Sequence, residues 1–194
     1  MTLAALRGKT VVLTDFLTLC QEICPLTSAN LAAVQKSLTS GGVEKNIVLV
    51  EVTVDPVRDT PQRLAAYRKI VGAGPNWLLL TADADTIASL WKWFGVAYQT
   101  SAEAGSPAPT DWWTGQPLTF DVGHNDAVFF LDSKGVERYL LTGTPNADGA
   151  PVAKPLVGFL NDEGRTNLAS PGVNAWTATD VERTLSWLTG SEIS

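Results

Sequence analysis

Thr10-Val-Val-Leu-Thr-Asp-Phe-Leu17 runs straight into Thr18-Leu-Cys20-Gln-Glu-Ile-Cys24-Pro25, and this junction decides the architecture. The first half is β-branched and apolar over a length that fills a buried strand. Pro25 suits the first turn of a helix, and Leu26, Leu31, Val34 and Leu38 follow at near-helical gaps up to Gly41-Gly42. A strand therefore hands over to a helix whose N-terminus carries Cys24, with Cys20 four residues upstream.

The same alternation continues outward. Asn46 to Val54 (NIVLVEVTV) reads as a second strand, and after Asp55-Pro56 the segment Asp59-Thr60-Pro61 supplies a cap and a helix start. Leu64, Tyr67, Ile70 and Val71 form the buried stripe of that helix. Trp77 to Thr81 is a third strand, followed by a helix with Asp83 and Asp85 in its first turn, an apolar face of Ile87, Leu90, Trp91 and Phe94, and Gly95 at its end. Ala127 to Asp132 and Val136 to Leu141 form a hairpin through Ser133-Lys134-Gly135. Thr179 with Glu182 predicts a capping box ahead of a last amphipathic helix with Val181, Leu185 and Leu188. The expected class is α/β: a mixed central sheet between helices, closed by a C-terminal β-hairpin and a final helix.

The chain has 194 residues, 45% of them hydrophobic and 18% charged, which suits one well-filled core. We expect a single domain over 1–194. A long loop is expected at 99–120, where Gly, Pro and Ser accompany Trp112 and Trp113. An irregular stretch is expected at 145–176, where only Leu156 to Leu160 forms an apolar run. The net charge of −6 and the lack of any basic run exclude nucleic acid or anionic lipid as the main partner. No apolar stretch approaches the roughly 20 residues that span a bilayer, and the opening MTLAALRGKT lacks the apolar core of a signal peptide.

The chemistry rests on few residues: two cysteines, one histidine and one methionine. If Cys20 and Cys24 share the turn entering the helix, their sulfurs face one space, and the helix N-terminus favours thiolate. That geometry serves a disulfide, a metal ion or both. Structural zinc wants four protein ligands, whereas two thiolates and one imidazole suit copper better. His124 lies just before the terminal hairpin, and in a thioredoxin-like arrangement that loop passes beside the redox cysteines, making it the candidate third ligand. Asp55, Arg58 and Asp59 read as a turn and helix cap, with Arg58 pairing locally. A peroxiredoxin would need Pro at 13 and Thr at 17, where this chain has Leu13 and Leu17.

The run Thr18-Leu-Cys20-Gln-Glu-Ile-Cys24-Pro25, then Val54-Asp55-Pro56-Val-Arg58-Asp59-Thr60-Pro61, then Phe94-Gly95-Val96, then His124 before AVFFLDSKG resembles the Sco/SenC family. The resemblance covers about residues 5–142 and the last helix. It implies a thioredoxin-like three-layer fold and one copper ion, Cu(I) or Cu(II), per chain, held by Cys20, Cys24 and His124. It further implies a copper chaperone that metallates the binuclear copper site of cytochrome c oxidase or reduces that site's cysteines. The partner is then the oxidase copper-site subunit or another copper donor or acceptor. The implied location is extracytoplasmic, exported or membrane-anchored. The alternative is a metal-independent thiol–disulfide oxidoreductase that uses Cys20 and Cys24 as its redox pair, although thioredoxins space their cysteines by two residues. Family members often place Asp before the histidine and Ser or Thr after it. This chain has Gly123 and Asn125, leaving Asp121 or Asp126 as candidates for the outer carboxylate. The family's usual N-terminal strands do not precede Arg7-Gly8-Lys9, and 145–176 reads as an insertion.

Overall fold

The protein was analysed as a computed structural model that describes residues 1–103 and 107–193. β1 (Thr10–Phe16) is buried along its whole length and lies at the centre of a five-stranded sheet. β2 (Ile47–Thr53) runs parallel to it, pairing Thr10 with Ile47 through to Phe16 with Thr53, and β3 (Trp77–Leu80) extends the parallel side. On the other side β6 (Ala127–Leu131) is antiparallel to β1, and β7 (Glu137–Thr142) is antiparallel to β6.

Alternation along the strands divides the core into two layers. Val12, Leu49, Val128 and Phe130 face α1 (Cys24–Ser40) and α6 (Ala178–Thr189). Val11, Leu13, Val50 and Phe129 face the opposite way, toward α3 (Ala84–Phe94) with its buried Ile87 and Trp91. The helix–sheet–helix sandwich is the expected thioredoxin-like arrangement. Val181 and Leu185 of α6 are 0% exposed, and each contributes roughly 1.5–3 kcal/mol by leaving water. α2 (Pro61–Val71) begins at Thr60, whose side chain accepts the Arg63 N–H, and ends on left-handed Gly72.

Three sequence expectations need correction. The capping box sits two residues earlier than Thr179–Glu182: it joins Thr177 to Asp180, whose carboxylate accepts the Thr177 N–H at 2.9 Å. Both pairs have the right spacing, but Trp176 is fixed by backbone bonds to Thr144 and Asn146, so the helix starts directly after it. The segment expected as a loop from 99 begins inside β4 (Tyr98–Ala102), which pairs antiparallel with β5 (Phe120–His124) in a separate ribbon. Tyr98 to Ala102 is mostly exposed and polar, so it lacks the alternation that marks a half-buried strand. Residues 104–106 of that loop lie outside the described residues. The stretch 145–176 contains α4 (Lys154–Phe159) and α5 (Asp162–Ala169), too short for a helical period to be legible.

Candidate metal centre

Cys20 and Cys24 sit where the central strand meets a helix. After β1 the chain turns at Thr18, whose backbone N–H and hydroxyl both donate to the Asp59 carboxylate, at 3.2 and 2.5 Å. Trp112 Nε1 donates to the Thr18 carbonyl at 2.7 Å. Cys20 Sγ then accepts the Ile23 and Cys24 backbone N–H groups, at 3.4 and 3.3 Å, as α1 begins. Those N–H groups are the unpaired donors of a helix N-terminus, so they favour negative charge on Cys20. Cys20 is 4% exposed, Cys24 is 1%, and the two sulfurs are not joined.

The two thiols are driven apart. Burial pushes Cys20 up, but its bonds to Cys24 and His124 and the imidazolium charge outweigh that and hold it well below the ordinary thiol range. Burial pushes Cys24 up, and hydrogen bonding to Cys20 and its charge push it further. The backbone N–H groups and the imidazole thus favour negative charge on Cys20 over Cys24. Glu22, with Oε2 3.7 Å from Cys20 Sγ, is raised to about 7 by burial and then by the Cys20 charge.

His124 ends β5 and enters from the other side. Its Nε2 lies 3.3 Å from Cys24 Sγ, and its Nδ1 lies 2.5 Å from Asp15 Oδ2. The other oxygen of Asp15 accepts the Ala127 N–H at 3.2 Å, so the carboxylate is held on both oxygens. A carboxylate on Nδ1 fixes the tautomer and leaves Nε2 free to act as a ligand. Burial disfavours the His124 cation, but Asp15 and Cys20 reverse the balance and raise its pKa well above normal. One sulfur from each of Cys20 and Cys24 and one ring nitrogen of His124 lie within 4.8 Å of one another.

The outer carboxylate is neither Asp121 nor Asp126. Asp121 accepts its neighbour's Val122 N–H at 2.8 Å, and Asp126 accepts Trp176 Nε1 at 3.2 Å. Asp15 takes the role from the C-terminal end of β1. A charged residue inside the apolar run TVVLTDFL was the signal for it, because a carboxylate is buried only where partners receive it.

The segment Asp55-Pro56-Val57-Arg58-Asp59 does more than cap a helix. Asp59 also accepts the Thr53 hydroxyl at 2.5 Å, so it ties β2 to the cysteine turn. Arg58 pairs with Asp55, donates to the Phe120 carbonyl at 2.6 Å and stacks 3.9 Å above the Phe120 ring, so it grips the start of the histidine strand. Arg63 makes a bidentate pair with Asp111, at 3.0 and 2.6 Å, which fixes the loop carrying Trp112. Trp112 packs against Tyr67 with ring centroids 6.0 Å apart, rather than standing free for a partner.

Comparison with known proteins places this geometry. The SCO1/SenC family model matches residues 1–154. Protein SCO2 homolog, mitochondrial, of Bos taurus is 29% identical over 133 residues, covering 69% of this chain and 45% of that protein. The chain spans about half the length of the curated relatives it matches. Among solved structures, Arabidopsis thaliana ScoI with copper bound is 26% identical with a TM-score of 0.61, covering 76% of this chain and 83% of that one. A SCO1/SenC family lipoprotein from Bacillus anthracis, 24% identical with a TM-score of 0.56, shares the fold over 80% of this chain and 82% of its own.

Proposed function

Because the chain belongs to the SCO1/SenC family, we propose that it carries one copper ion on Cys20, Cys24 and His124 and passes it to a copper-site protein. The observation that carries this reading is the convergence of the three donor atoms within 4.8 Å, with His124 Nε2 facing Cys24 Sγ while Asp15 occupies Nδ1. The donor set fits the ion: soft thiolates suit Cu(I), and the imidazole supports Cu(II) as well. Among the described residues these three form the cluster, one short of the four protein ligands of structural zinc. Copper is here a cargo, and a three-ligand site leaves a side open for ligand exchange with a recipient's cysteines. The recipient by this reading is the copper-site subunit of cytochrome c oxidase, met on the extracytoplasmic side by an exported or membrane-anchored protein. No helix among the described residues is long and apolar enough to cross a membrane.

A second reading has its own support. The split between a lowered Cys20 and a raised Cys24 suits an attacking thiolate beside a resolving thiol, as thiol–disulfide exchange requires. By this reading the pair reduces the recipient's cysteines without carrying metal.

Titration of the reduced protein with copper, read by absorption and electron paramagnetic resonance, separates the two. The copper reading expects one ion per chain, thiolate-to-Cu(II) charge transfer and nitrogen coupling, with the coupling lost in His124→Ala. Wild-type Cu(II) affinity and spectrum in His124→Ala would sink the ligand assignment. Activity on a disulfide substrate that His124→Ala leaves untouched would favour the oxidoreductase.

A further inference from the structure

The match to the family ends at residue 154, and the helices that follow close onto the three residues between the cysteines. Asn161 donates its backbone N–H to the Gln21 carbonyl at 3.1 Å and its side-chain amide to Glu22 Oε1. The other oxygen of Glu22 accepts the Gln21 N–H at 3.2 Å. Asn161 Oδ1 meanwhile accepts the Gly164 N–H at 2.9 Å and caps α5. A methyl group placed on Gly164 would stand 2.1 Å from the Gln21 carbonyl oxygen, so only glycine admits this approach. On the far side, Gln21 Nε2 donates to Glu103 at 3.3 Å. Leu160 packs with Leu26 and Ala29 of α1, while Leu156 and Phe159 join the cluster that contains both cysteines. The helical pair is therefore seated on the core as well as on the turn.

We propose that Asn161 and Gly164 are positioning residues that hold the Gln21-Glu22-Ile23 turn with the two sulfurs at ion-binding spacing, and so oppose closure of a Cys20–Cys24 disulfide. The inference rests on the proposed thiol site, but its main observable does not need copper. Closing the disulfide passes two electrons from the sulfurs to an oxidant such as glutathione disulfide, with one proton from the Cys24 thiol and one from the His124 imidazolium or solvent. Two glutathione thiols leave as Cys20 Sγ bonds to Cys24 Sγ. That bond is about 2 Å long, so Cys20 Sγ must leave the Ile23 and Cys24 N–H groups that it now accepts. A turn pinned at the Gln21 carbonyl, the Gln21 N–H and the Glu22 carboxylate resists the accompanying rotation.

The test equilibrates the full chain with glutathione redox buffers and counts thiols by alkylation, with copper affinity measured alongside. Asn161→Asp keeps the oxygen that caps α5 but replaces the donor with a second carboxylate facing Glu22, and the buffers are held well above the Glu22 value of about 7 so that both are ionised. We expect its disulfide equilibrium constant to rise about tenfold, a potential about 30 mV more negative, and its copper affinity to fall. Combining it with Glu22→Gln exchanges donor and acceptor and restores the wild-type potential. A shift below about threefold in Asn161→Asp, or one that Glu22→Gln fails to rescue, overturns the clasp. If the wild type takes up no copper while the shift and its rescue persist, the copper reading fails and the clasp stands.

Discussion

The two halves of the candidate centre are held by different means. The cysteine turn is gripped on every side over a few residues: Asp59 and Trp112 at Thr18, backbone N–H groups at Cys20, Asn161 at Gln21 and Glu22. The imidazole belongs to a two-stranded ribbon outside the main sheet and is aimed by one carboxylate 109 residues away in sequence. The thiol half is thus held redundantly, by several partners from distant parts of the chain, whereas the imidazole half rests on a single orienting contact made when β1, β5 and β6 come together. Losing a contact on the first side leaves others in place. Losing Asp15 leaves the ring without its orienting partner.

This contrast can be tested in order of expected effect. Cys20→Ser or Cys24→Ser removes a proposed ligand and is expected to weaken copper binding by more than about 100-fold, beyond the range for outer partners. Equal affinity in competition titrations would place the ion elsewhere. Asp15→Asn cannot accept from both the imidazole and the Ala127 N–H, so Cu(II) affinity should fall about 10- to 100-fold. Because the Asp15 charge favours the imidazolium that in turn favours the Cys20 thiolate, the Cys20–Cys24 potential should become more negative as well, and an unchanged potential would show that the two halves are independent.

Beneath the cysteine helix, Glu51 accepts from Ser28 and Trp77, and burial raises it to about 7. Between about 4.5 and 7 the unfolded chain ionises this group first, so unfolding releases a proton and stability falls as pH rises, by about 3 kcal/mol in all. Chemical denaturation at both ends of that window should show a smaller loss in Glu51→Gln, and an identical loss would remove Glu51 as a cause. Thr177→Ala, remote from both halves, should cost about 1 kcal/mol of stability through its cap and leave copper affinity as it was.

Much of this was legible from residue order. The apolar run from Thr10 marked the central strand, and Pro25 after Cys24 marked the helix start, because both signals are local. The cysteines followed from that junction. His124 needed the topology, since its partner strand β4 is exposed and polar and carries no period. Asp15 was missed in favour of Asp121 and Asp126, because the one trace it left was a charge in a buried run and its partner lay far along the chain. Arg58 looked like a local pair because its short bond to Asp55 is local, while its reach to Phe120 depends on the ribbon. Helices as short as α4 and α5 take their stability from packing, which a stretch rich in Pro, Gly and Asn does not announce.

Among the described residues, the ribbon of β4 and β5 shares no ladder hydrogen bond with the five-stranded sheet. On the proposed copper reading, an incoming thiol meets an ion enclosed by two buried cysteines and by a His124 side chain that is 3% exposed. Release would then require the ribbon to carry the imidazole away, breaking its bond to Asp15 and unseating Val122 from the cluster that holds both cysteines. On that reading, substitutions along the mostly exposed β4 are expected to alter the hand-off more than the melting temperature.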